Sequence, residues 1–170
     1  MKRSLSAVGL CFVLMLGLSR EAGAFDETQL QELQLLGENC PSCDLSGAKL
    51  NREDLSKKNL TEADLTQAYL NGANLSWADL SGADLVSADL IGENLSWAEL
   101  TEVNLMWAVL TEANLTEADL TKAKLNWANL TGADLTEVEL TGASLTGANL
   151  TRTIFCETEM TDGTMNNSGC

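Results

Sequence analysis

The chain has 170 residues, with 10 Lys and Arg against 25 Asp and Glu, a net charge of −15 and no histidine. That sign disfavours direct contact with nucleic-acid phosphates or anionic lipid, whose binders cluster Lys and Arg. The missing His removes the commonest general base and a common metal ligand, and 45% hydrophobic with 21% charged residues fits neither a disordered chain nor a membrane bundle.

Residues 1–24 read as a secretory signal. Lys2 and Arg3 precede an apolar run from Ala7 to Leu18, and Ala22-Gly23-Ala24 supplies the small residues of a cleavage site. The run is short for a membrane span, which takes about 20 residues. The mature chain is expected to begin near Phe25, with 7 basic and 24 acidic residues and no membrane attachment beyond the cleaved segment. Residues 25–39 are expected to form a capping helix. Asp26 with Gln29 resembles a capping box, Leu30, Leu33 and Leu36 share a stripe that should lie on the first coil, and Gly37 terminates it.

From Cys43 to Arg152 the chain repeats every five residues. Leu fills all 22 positions from Leu45 to Leu150 taken in fives, and two residues before it stands Ala in 16 of them. Asp or Asn mostly precedes the Leu, and Ser or Thr follows it in 16 cases. A helix turns about 100° per residue, so a five-residue step would scatter the leucines around it. A straight strand would throw successive ones to opposite faces. They converge only if the backbone bends once per repeat, always in the same sense. All seven glycines of the region, from Gly47 to Gly147, sit two residues after a Leu, which places a positive-φ turn there. Other repeats carry Trp, Glu or Lys at that place, so the corners are not expected to share one turn type.

The segments ADLSGADL, ANLTEADL and ANLTGADL resemble the pentapeptide repeat family. The resemblance implies an all-β solenoid, a right-handed quadrilateral parallel β-helix with four repeats per coil. The β-helix is expected over residues 40–155; at the strand spacing of ~4.8 Å, the 110 residues from Cys43 to Arg152 would make about five and a half coils, roughly 26 Å tall. Residues 156–170 are then expected to be a C-terminal cap. Phe155 and Met160 keep the inward phase before a turn at Asp162-Gly163.

Four cysteines remain after the signal: Cys40, Cys43, Cys156 and Cys170. An even count in an exported chain points to two disulfides. On the rod that the resemblance implies, the two pairs sit at opposite ends, so Cys40–Cys43 and Cys156–Cys170 is the expected pairing. CPSC taken alone also suits a redox dithiol or half of a zinc site, but zinc needs two further ligands and the chain has no His.

With 20 residues per coil, residues 20 apart stack. Trp77 falls with Trp97, and Trp107 with Trp127 two sides away. Val86, Ile91, Met106, Trp107, Val109 and Trp127 are expected to form one apolar patch around a single edge, a candidate surface for a protein partner or self-association. Asn59, Asp79, Glu99, Asp119 and Glu139 form a second column, read as a solvated acidic face and alternatively as a place for an oxygen-loving cation such as Ca²⁺. Glu93 breaks the Ala register between Ala73 and Ala113. A local bulge is expected to turn it outward, because an inward carboxylate would be costly and would titrate high.

No catalytic residue, cofactor site or metal site emerges: there is no base, no phosphate loop and no partnered nucleophile. CPSCDLSGA at the start and FCETEM to NNSGC at the end resemble cyanobacterial family members exported to the periplasm or thylakoid lumen. This implies a non-enzymatic exported scaffold or binding protein. The alternative taken from the family is a DNA-mimicking inhibitor of DNA gyrase, which an export signal and disulfides disfavour.

Overall fold

A computed structural model describes residues 39–170; the expected signal at 1–24 and the helix expected within 25–39 lie outside these, Asn39 apart. Every fifth residue bridges in parallel to the residue 20 further on, from Asp44 with Asp64 and Lys49 with Tyr69 to Glu139 with Glu159. Twenty residues are four repeats, so the chain returns above itself after four bends and builds a four-walled tube. Leu45, Leu65, Leu85, Leu105 and Leu125 line the first wall, and the second, third and fourth walls begin at Leu50, Leu55 and Leu60. Every leucine from Leu45 to Leu140 is at most 4% exposed, and the alanines from Ala48 to Ala143 fill the space between.

Why this composition closes such a tube is seen in one repeat, Ala63 to Gln67. The Ala63 amide donates to the Leu60 carbonyl across the corner at 3.1 Å. Asp64 donates down to Cys43 at 2.8 Å, while Leu65 and Gln67 donate up to Asp84 and Val86 at 2.7 and 2.9 Å. The fifth amide, of Thr66, has no backbone acceptor and donates instead to Asp64 Oδ1 at 3.0 Å. The Thr66 hydroxyl donates to the same oxygen at 2.7 Å. The Asp or Asn before the Leu thus takes up the one amide that the backbone leaves over, and the Ser or Thr hydroxyl bonds to the same oxygen. On the second wall, Lys49 and Tyr69 cannot serve as that acceptor. There the Asn71 amide donates to Asn51 Oδ1 of the coil below at 3.1 Å, and the Ile91 amide, although Asp89 stands two residues before it, likewise donates to Asn71 Oδ1 at 3.0 Å.

The expectation that the corners differ is corrected. All 22 residues at the corner place, from Gly47 to Arg152, have φ between 56° and 74°, whether Gly, Trp, Glu, Lys, Arg, Gln or Ser. Positive φ at the third of four residues, closed by a hydrogen bond from the fourth amide to the first carbonyl, is a type II turn. The left-handed conformation costs a non-glycine roughly 1–2 kcal/mol. Here the turn bond, together with ladder bonds to the adjacent coils, holds the conformation against that cost.

At the C-terminal end, Phe155 is buried and Met160 half-buried against the core. Strand β1 (Thr158–Glu159) pairs antiparallel with β2 (Met165–Asn166). Between them Gly163, at φ 80°, donates its amide to the Met160 carbonyl at 2.9 Å. The tail then runs back beside Phe155, where the Gly169 amide reaches its carbonyl at 2.7 Å and Cys170 joins Cys156 in a disulfide. Cys40 and Cys43 form the other disulfide, in the first described repeat.

Candidate interaction surface

The corners are where this fold shows side chains to solvent, and 20-residue spacing decides which of them meet. Trp77 and Trp97 stack with ring centroids 4.7 Å apart and planes within 1°. Trp107 and Trp127, on the opposite corner, stack at 5.4 Å and 9°. Each pair shields one ring face, yet Trp107 and Trp127 remain 54% and 52% exposed. The outer face of Trp127 lies against Gly147, one coil further on; a Cβ there would run into the indole ring. The stack is therefore a fixed ridge seated on glycine, and the glycine could have been read from its place 20 residues after Trp127.

Around this ridge the structure brings Val86 and Met106 onto the first wall beside the corner and Val109 onto the second wall, all three half-buried. Their amides keep the usual bonds; those of Val86 and Met106 reach Asp84 and Asn104 Oδ1, at 3.0 and 3.4 Å. Replacing the hydroxyl residue thus leaves the wall intact and lays the apolar chain along it. Ile91 is exposed, but at the far end of the second wall, the width of that wall from the tryptophans. It also lacks the hydroxyl that a Ser or Thr there would turn to Asp89, whose Oδ1 is left buried without a partner.

The acidic column stands on the fourth wall, where Asn59, Asp79, Glu99, Asp119, Glu139 and then Glu159 bridge in succession. The neighbouring corner adds Glu117 and Glu137, and a shallow groove runs between the two rows, lined also by Thr101 and Ala118. Desolvation, then the Glu137 charge, raises Glu117 from its ordinary value. Burial pushes Asp119 up as well, but the Thr121 hydroxyl and amide and the Thr101 hydroxyl outweigh it and leave Asp119 lowered. Among the described residues no group of three or more Cys, Asp or Glu is arranged to hold a metal ion.

Glu93 corrects a second expectation. It does not turn outward: it is 1% exposed and neither carboxyl oxygen has a hydrogen-bond partner. Burial pushes it up to about 9. Turning outward would break the amide bonds on both sides of it. A feature that repeat counting did not bring out is an amide ladder on the third wall. Asn114 Nδ2 donates to Asn94 Oδ1, Asn94 to Asn74 and Asn74 to Asp54, at 3.4, 3.1 and 3.2 Å. Asn and Asp recurring at 20-residue spacing are its trace in the sequence.

Walls of parallel bridges around a leucine core, bent every five residues, define a four-sided β-solenoid. The family model for pentapeptide repeats matches residues 39–76, 59–96, 91–126 and 123–162, and the chain belongs to that family. Membership implies the right-handed quadrilateral β-helix. A pentapeptide repeat protein of the Arabidopsis thaliana thylakoid lumen is 32% identical over 67% of this chain and 69% of its own, with a TM-score of 0.41. One from Nostoc is 33% identical over 72% and 93%, with a TM-score of 0.39. The plasmid-mediated fluoroquinolone resistance protein QnrB1 is 23% identical over 66% and 58%, with a TM-score of 0.30. A comparison with curated proteins finds no match.

Proposed function

We propose that the protein is a non-enzymatic scaffold of an exported, oxidising compartment, the periplasm or thylakoid lumen, which presents its Trp107–Trp127 corner to a protein partner or to a second copy. The observation that carries this is the pre-stacked, half-exposed indole pair seated on Gly147. Large aromatic groups already held in one conformation lose little entropy on docking, and such groups dominate binding energy at interfaces. Val86, Met106 and Val109 continue the apolar ground around it, with Ile91 as an outlying contact. The interior is filled with leucine and alanine, which supports a role on the outer surface. Two disulfides favour an oxidising compartment.

Sedimentation velocity of the mature chain, alone and in extract from the exported compartment, compared with W107S/W127S, tests the reading. Association is expected in the wild type and not in the variant. Identical boundaries for both chains would overturn it. The second reading, imitation of duplex DNA toward gyrase, draws on the carboxylate rows of the fourth wall. Unimpaired supercoiling in the presence of the purified protein is expected; inhibition would revive that alternative.

A further inference from the structure

Glu93 is the one buried carboxyl among the described residues, and the interaction surface gives it no role. It occupies the third wall's alanine column, directly between Ala73 and Ala113 of the adjacent coils, and it lies inside the tube with both oxygens unpartnered. The wall has yielded around it. The amide of Asn94 reaches the Ala73 carbonyl at 3.4 Å, whereas the same ladder bond measures 2.9 Å at Asn74, 2.8 Å at Asn114 and 2.9 Å at Asp134. The corner bond from the Glu93 amide to Leu90 is 3.2 Å, against 2.9 Å for Ala73 and 3.1 Å for Ala113. The seam between residues 72–75 and 92–95 is therefore the loosest stretch of this column.

The groups packed against Glu93 offer it no counter-charge. Its own column holds one other titratable residue within the walls, Glu53, two coils below. The outward places beside it are Asn74, Asn94 and Asn114, and the adjoining corner carries Gly72, Gly92 and the exposed Glu112, with the exposed Arg52 reaching over Gly72 from two coils below Glu93. Across the tube stand leucines, alanines and Val103. Burial is the main cause of its raised proton affinity, which the nearby amides of Ala73, Leu75 and Asn94 offset only in part, and no charged side chain contributes.

We propose that Glu93 makes the 72–75/92–95 seam a proton-operated weak point, closed while the carboxyl keeps its proton and opened with release of that proton to water. In the closed form the neutral acid avoids the cost of a buried unpaired charge. In the open form the carboxyl is hydrated and ionises at its ordinary value. Between about 4.5 and about 9 opening thus releases one proton. Its equilibrium constant rises roughly tenfold per pH unit across that window. The protein is tightest in mildly acidic surroundings and loosens at this one seam as pH rises.

Native-state amide hydrogen exchange on the intact protein between about pH 5 and 8 tests this, since it reads opening residue by residue. Asn94 is compared with Asp134, which occupies the same column above Ala113. In the wild type the opening constant at Asn94 is expected to climb roughly tenfold per pH unit, and that at Asp134 much less. E93Q keeps the size and polarity but cannot ionise, and E93A completes the alanine column. Both should flatten the Asn94 profile, with E93A the better protected. An unchanged slope in E93Q would overturn the proposal, as would a Glu93 carboxyl that titrates in the ordinary range by NMR. Equal slopes at Asn94 and Asp134 would also overturn it, because proton release would then belong to global unfolding.

Discussion

Gly147 shows how one missing carbon fixes a surface. Its φ of 74° suits glycine, and its bare Cα leaves room for the Trp127 ring. Gly147→Ala should lower stability by about 1–3 kcal/mol in urea unfolding, through backbone strain and collision together. In a W127S background the collision vanishes, and the same substitution should cost distinctly less. Gly92 is the control: nothing lies within 4 Å of the place its Cβ would take. Gly92→Ala should carry the backbone cost alone. Glu93 supplies a second residue-scale test. Its native pKa, about 9, lies above its ordinary value of 4.5, so the native state holds a proton that the unfolded chain gives up. The stability that Glu93 contributes is greatest below about 4.5 and falls as pH rises toward about 9, with about 3 kcal/mol of it forgone by pH 7. Glu93→Ala should therefore raise the melting temperature more at pH 8 than at pH 5.

At the scale of elements, the two disulfides close loops of unlike length. Cys156 and Cys170 are 14 residues apart and Cys40 and Cys43 only 3. Chain-entropy reasoning gives about 3 kcal/mol for the longer loop and about 2 for the shorter. C156S/C170S should thus destabilise more than C40S/C43S in denaturant titrations. It should also free the tail from Phe155. The turn after Met160 was legible from Asp162-Gly163, and the tube from leucines five apart, because no straight element can gather that spacing into a core. The Trp77–Trp97 and Trp107–Trp127 stacks followed once 20 residues were taken as one coil. The common corner conformation did not. Glycine marks positive φ in seven corners, but in the rest the conformation is imposed by ladder bonds that composition does not display. The half-buried lie of Val86 and Met106 was hidden for a similar reason: Asp84 and Asn104 hold the amides whatever side chain follows. Whether Glu93 would turn out depended on how far the wall could stretch, which spacing does not encode.

Over the whole molecule, carboxylates outnumber cations, and one ion pair is present among the described residues, Lys122 Nζ to Glu102 at 3.1 Å. Like charges stacked ~4.8 Å apart on the fourth wall repel even in water, and salt screens such exposed pairs. The melting temperature should rise between about 10 mM and 300 mM sodium chloride, and calcium should add nothing beyond its ionic strength. A calcium-specific rise abolished by chelator would show that the acidic rows bind the cation.

The uniform corners have a practical corollary. Because bonds between coils hold the bend, each corner accepts many side chains at the cost of a left-handed residue alone, Gly147 excepted. Recognition groups could be transplanted there one by one, stepping along an edge in increments of a single strand spacing. The tube thereby serves as a programmable ruler, whose markings can be rewritten while its length stays the same.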